Sequence, residues 1–198
     1  DVFGCFLENG EKPEGGQERL DVAFLLLRAG MMEEALAVAE PPNAATKDGS
    51  GAMLLYLRAD ALHRAGREHE SEAALRQAAA VDADYVFPSR LDEMILLDDA
   101  IGRNPQDARA PYYLGNLLYD RKRHQEAIAM WERATELDSS FPTAWRNLGF
   151  GYYNVLHDAA RARDAFARAR KLAPQDARIL YEQDQLSKRI GVHPEVRL

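Results

Sequence analysis

The pentapeptide Pro105-Gln106-Asp107-Ala108-Arg109 returns unchanged as Pro174-Gln175-Asp176-Ala177-Arg178, an offset of 69 residues. Matched landmarks lie between the two copies at about half that distance. Leu114-Gly115 answers Leu148-Gly149 after 34 residues, and Ala127, Trp131 and Ala134 answer Ala162, Phe166 and Ala169 after 35. A unit of this length repeated in tandem is the mark of stacked supersecondary elements. The one-residue difference places an insertion between Gly149 and Ala162, and Leu156 to Ala159 is the segment where a turn would accept it.

Each unit reads as two helices, the first from about Ala108 to Arg121 and the second from about Gln125 to Leu137, joined by a short polar turn. A glycine inside a helix costs about 1 kcal/mol relative to alanine, so Gly115 and Gly149 call for another explanation. Lacking a side chain, they let a neighbouring helix approach closely. Ala127 and Ala162 do the same from the facing helix, with Trp131 or Phe166 filling the space beside them. Composition agrees with helices throughout: Ala and Leu number 32 and 24, against 5 Ile, 8 Val and 3 Thr. A sheet protein would reverse that balance.

Looser copies flank the clear ones. Met53 to Asp82 carries Leu55, Ala59, Leu62, Gly66, Ser71, Leu75 and Ala78 at corresponding spacing, and Gln17 to Glu40 forms another pair ended by Pro41-Pro42. The expected division is an unassigned segment 1–16, degenerate repeats over 17–85 with a linker at 41–51, and a single-helix half-repeat over 86–105. Full repeats follow over 106–141 and 142–175, then a capping helix with a truncated tail over 176–198. Asp1 opens the chain without a Met, and His193-Pro194-Glu195 reads as the start of a further helix, so the chain is expected to be part of a longer one.

The repeat resembles the tetratricopeptide repeat, a 34-residue helix–turn–helix unit whose pattern runs large residue, Leu-Gly, Tyr, then Ala, aromatic, Ala and Pro. The second full copy matches with Trp145, Leu148, Gly149, Tyr152, Ala162, Phe166, Ala169 and Pro174; the first departs at Pro111, Leu118 and Ser139. The stretches Val86 to Pro88, Ala110 to Asp120 and Leu180 to Leu186 further resemble the repeat region of large bacterial proteins carrying domain of unknown function 5107. That resemblance implies a helical companion to another domain, in a parent related to carbohydrate-acting proteins, and transfers no catalytic residue. The fold class is thus all-α, a right-handed α-solenoid of tetratricopeptide-like pairs with about ten helices.

Phased stripes mark candidate contact residues. Arg109, Tyr112, Asn116 and Tyr119 step by 3, 4 and 3 and share one helix face. Thr143, Arg146, Phe150 and Tyr153 repeat the steps, as do Arg178, Tyr181, Gln185 and Lys188, with Asn147 beside the second stripe. First helices of a solenoid line its inner groove, so a surface of aromatics, amides and Arg suited to peptide, protein-loop or sugar contact is expected. The competing reading buries the aromatics against neighbouring first helices. Some tetratricopeptide proteins hold a peptide C-terminus in a carboxylate clamp, and Asn116, Asn147 and Arg178 stand at clamp-like positions. Tyr112 stands where a Lys is needed, however, and Glu182 where a cation belongs, so no clamp is expected.

Other chemistry finds no pattern. The single Cys5 excludes an intrachain disulfide and any multi-cysteine zinc site. His63, His69, His124, His157 and His193 lack ligand spacing. Asp92, Glu93, Asp98 and Asp99 flank Met94 to Leu97 as a solvated helix face would. Arg161, Arg163, Arg168, Arg170 and Lys171 read as the outer face of a helix whose inner face is Ala162, Phe166 and Ala169. A net charge of −7 argues against nucleic acid and anionic membrane, and no apolar run approaches the ~18 residues of a membrane span. The expectation is a non-catalytic, cofactor-free, cytoplasmic scaffold docking a protein or an adjacent domain of its own parent chain. The alternative is a glycan-binding accessory module.

Overall fold

The computed structural model describes residues 13–40, 49–83 and 86–191. Among them are ten α-helices and no strand: α1 (Gly16–Arg28), α2 (Met32–Val38), α3 (Ser50–Arg64), α4 (Glu68–Ala80), α5 (Leu91–Arg103), α6 (Arg109–Asp120), α7 (His124–Leu137), α8 (Pro142–Asn154), α9 (Ala159–Leu172) and α10 (Ala177–Arg189). Cys5, most of the linker and the tail with His193 lie outside the described residues. The chain forms two compact units, Asp1–Tyr113 and Leu114–Leu198, with the division falling inside α6.

The turns of the helix pairs share one device. After α1, α3 and α6 the second residue beyond the helix adopts a left-handed backbone: Gly30 (φ 76°), Gly66 (φ 73°) and Lys122 (φ 65°). Two hydrogen bonds close each turn, as Lys122 N to Tyr119 O at 3.1 Å and Arg123 N to Leu118 O at 2.9 Å show for α6. These satisfy carbonyls that the helix end leaves unpaired. After α8 the left-handed residue is His157 (φ 55°), one position later, and the closing bond runs from Asp158 N to Tyr152 O at 2.9 Å. The extra residue of the second full repeat is therefore taken up in this turn.

The repeated pentapeptide is a helix start. Asp107 Oδ1 accepts from Arg109 N at 2.7 Å and Ala110 N at 3.3 Å, and Asp176 Oδ1 accepts from Arg178 N at 2.9 Å and Ile179 N at 3.2 Å. Side-chain acceptors of this kind satisfy the free amides of a first turn.

In Asp1–Tyr113, α3 is central and packs against α1, α2, α4 and α5. Leu20, Leu26, Leu54, Leu57 and Leu62 fill the interior. Three buried polar groups find partners there: the Arg19 guanidinium donates to Val38 O at the end of α2 and to Glu40 O just beyond it, Ser71 Oγ donates to Ala59 O, and Tyr56 OH donates to Asp107 Oδ2 at 2.6 Å. The solvated face expected for α5 needs one correction. Asp98 and Asp99 are exposed, but Glu93 is 2% exposed, because its carboxylate accepts from Ser89 N at 2.7 Å and Arg90 N at 2.9 Å at the start of the helix. In Leu114–Leu198, α8 packs on both α7 and α9, and α9 packs on α10.

A left-handed backbone costs a residue with a Cβ about 1–2 kcal/mol, whereas glycine adopts it freely. Lys122→Gly is therefore expected to stabilise the chain by up to about 1 kcal/mol, after the greater freedom of an unfolded glycine is subtracted. Gly66→Ala should destabilise by about 1 kcal/mol, since a Cβ there meets nothing within 4 Å and only the backbone objects. Urea unfolding of both variants checks the two signs; an unchanged midpoint for each would show that these turns carry no strain.

Candidate functional site

Two glycines set the helix spacing in Leu114–Leu198. A Cβ added at Gly115 would stand 2.5 Å from Cδ1 and Nε1 of Trp131 and 3.1 Å from the Ala127 carbonyl oxygen. One added at Gly149 would stand 2.5 Å from Cδ2 and Cε2 of Phe166. Each aromatic ring of a second helix thus lies directly on the backbone of the first. Ala127, Ala134, Ala162 and Ala169 are fully buried along these seams, as is Leu148, and Leu114 is buried too. Gly151, which no repeat landmark picks out, does the same toward the preceding helix, where a Cβ would lie 2.7 Å from Ile128 Cγ1. Trp145 is only half-buried, its Nε1 donating to Ser139 O at 2.9 Å and its ring lying 4.5 Å from the Arg168 guanidinium carbon.

A chain of polar contacts crosses the first helices. Asn116 Oδ1 accepts from Trp131 Nε1 at 3.0 Å and from Asn147 Nδ2 at 2.8 Å. Arg146 Nη1 donates to Asn147 Oδ1 at 3.0 Å, and its Nε and Nη2 clasp the Glu182 carboxylate, the latter at 2.5 Å. Arg178 Nε reaches the same carboxylate at 3.1 Å. Arg146 and Glu182 are 14% and 15% exposed, so this bidentate pair is largely withdrawn from water. Toward α7, burial and a hydrogen bond to Glu132 push the Tyr152 hydroxyl up to about 12.

These contacts redistribute the candidate surface. Tyr112 is 8% exposed and packs 5.6 Å from the Tyr113 ring centroid, so it belongs to the core of Asp1–Tyr113; Arg109, half-buried, falls in the same unit. Tyr119 stacks on Trp131 at 5.3 Å and His124 at 4.6 Å. Asn116, Asn147 and Arg146 are engaged in the polar chain rather than presented as free donors, whereas Arg178 gives it only its Nε and its side chain stays 70% exposed. Lys188 pairs with Asp184 at 2.6 Å.

Four other stripe residues come together, while Thr143 stays apart from them. Phe150, Tyr153, Tyr181 and Gln185 line a pocket of about 250 Å³, completed by Asn154, Phe166, Glu182, Leu186 and Arg189. Phe166 meets Phe150 edge-on at 5.3 Å and forms part of the lining, so the ring that locks α8 to α9 also shapes the pocket. Tyr181 is 65% exposed at its mouth. The side chains of Tyr153, Asn154, Tyr181 and Gln185 make no hydrogen bond among the described residues. Asn154, Leu186 and Arg189 lie off the 3-4-3 stripes and were not legible as lining residues. Among the described residues no group of His, Cys, Asp and Glu could hold a metal, and no helix is long and apolar enough to cross a membrane.

A model of the TPR repeat matches residues 115–155, which run from Gly115 through α7 to the end of α8. Among solved structures, MamA 41-end from Desulfovibrio magneticus RS-1 is 18% identical, with 93% of this chain and 90% of that chain covered and a TM-score of 0.50. A crystal structure of MamA protein is 16% identical over 91% and 85% of the two chains, with a TM-score of 0.51. TTC0263, a thermophilic TPR protein of Thermus thermophilus, is 21% identical over 93% and 86%, with a TM-score of 0.46. The chain has the all-α fold of the α-solenoid class, built from TPR-like helix pairs.

The glycine contacts predict opposite signs for one kind of substitution. Gly149→Ala is expected to destabilise by about 1–3 kcal/mol, because the Phe166 ring is packed and cannot yield cheaply. Gly102→Ala, in α5 where a Cβ meets nothing within 4 Å, should stabilise by about 1 kcal/mol through helix propensity. Urea midpoints compare them directly. A stabilised Gly149→Ala would mean that the α8–α9 distance is not set at this glycine.

Proposed function

We propose that the chain is a non-catalytic protein-interaction scaffold whose docking site is the pocket between α8 and α10. The observation that carries this reading is the exposed ring of Tyr181 over a pocket whose Tyr153, Asn154 and Gln185 side chains have no partner among the described residues. Unpaired polar groups around an aromatic floor can bind by burial and by directional hydrogen bonds together, and Tyr is enriched at binding centres. The partner that fits the sequence resemblance is a neighbouring domain of the same parent, within a larger bacterial protein of the kind carrying domain of unknown function 5107.

Selection of a displayed random-peptide library on the immobilised chain tests the reading. Enriched peptides are expected to lose about tenfold in affinity with Tyr181→Ala, a typical hot-spot loss, while the melting temperature holds because the side chain is mostly outside the core. A library that yields no binder, or binders indifferent to Tyr181→Ala, would refute the pocket as a protein-docking site. Saturable oligosaccharide binding lost in the same variant would replace the protein partner with a glycan.

A further inference from the structure

Residues 142–191 carry nine basic and five acidic side chains, a net +4 within a chain whose net charge is −7. The pocket lies inside this basic segment. Its lining carboxylate, Glu182, is already held by Arg146 and Arg178, and the neighbouring Asp184 is held by Lys188. Arg189, also in the lining, forms no ion pair among the described residues, and the Arg178 side chain is 70% exposed. Two guanidinium groups thus neutralise the lining carboxylate, and a third, Arg189, is left beside the pocket without one. With Arg146, Arg178 and Arg189 against Glu182, the pocket has a local charge opposite in sign to that of the chain, which selects acidic partners and draws them in.

The volume bounds what can enter. An apolar cavity of about 150 Å³ holds a benzene molecule, so about 250 Å³ admits one Phe, Tyr or Leu side chain and no folded element. The groups that would grip a chain terminus are spent: the Asn116 and Asn147 amides bond to each other, and Arg146 is clasped by Glu182. A terminal carboxylate placed there would meet Glu182 at close range.

We propose that the pocket binds an internal, acidic stretch of polypeptide, with one bulky apolar side chain in the pocket and flanking carboxylates against Arg189 and Arg178. This rests on the pocket being the docking site, and it adds the partner's chemistry. The attraction between exposed charges is screened by salt, so the interaction weakens as ionic strength rises.

Fluorescence anisotropy with short labelled peptides, blocked at both ends, tests both levels separately. One peptide has a central Phe between runs of Asp and Glu; the second replaces Phe with Ala; the third replaces the acids with Asn and Gln. The first is expected to bind, the other two about tenfold or more weakly, and added salt should loosen the first. Arg189→Glu should weaken the acidic peptide about tenfold with an unchanged melting temperature. If the neutral peptide binds as tightly as the acidic one and Arg189→Glu has no effect, while Tyr181→Ala removes binding, the acidic specificity is wrong and the docking site stands. If an unblocked C-terminus binds far better than a blocked one, the internal-segment proposal is wrong. If no peptide binds, or Tyr181→Ala leaves binding unchanged, the proposal falls together with the docking site.

Discussion

The contact of an aromatic ring with a glycine backbone governs the geometry of Leu114–Leu198. Trp131 on Gly115 and Phe166 on Gly149 bring paired helices closer than any side chain at those positions would allow. Close approach withdraws large apolar area from water, which is the main favourable contribution to folding. It also fixes where each ring ends. Phe166, held against α8, reaches Phe150 and lines the pocket, so the binding surface inherits its shape from a packing constraint rather than from a loop.

The polar chain from Trp131 through Asn116, Asn147 and Arg146 to Glu182 adds direction to that packing. Apolar seams tolerate sliding, whereas an amide or guanidinium with one acceptor does not, and a half-satisfied buried network is costly. Glu182 matters most in this chain. It joins α8 to α10, neutralises Arg146, and by occupying these cations leaves Arg189 and the exposed flank of Arg178 to set the local charge.

The helix pairs, the glycine–aromatic partners and the longer turn before α9 were legible in the sequence because they depend on local spacing. A 34-residue step against a 35-residue step locates an inserted residue without any coordinates. The fate of the stripe residues was not legible in the same way. Asn116 and Arg146 hold stripe positions like those of Phe150 and Tyr153, with Asn147 beside them, yet these three are consumed by neighbours one repeat away. Which residue meets which depends on how far adjacent helices slide and rotate, and periodicity within a helix does not encode that. Tyr112 went to the core for the same reason. Glu93 looked like one acid among four on a solvated face; only the backbone of Ser89 and Arg90 folding back over it explains its burial. Gly151 has no counterpart at the repeat interval, so its role as a contact toward Ile128 left no trace in the pattern.

Hydrogen–deuterium exchange of the whole chain, with and without a saturating peptide taken from library selection, locates the docking surface most directly. Slowed exchange should be concentrated in α8 and α10, the helices that carry Phe150, Tyr153, Tyr181 and Gln185, with α1 to α5 unchanged. Protection centred in α1 to α5, with α8 and α10 exchanging as in the free chain, would contradict the assignment of the pocket as the binding site.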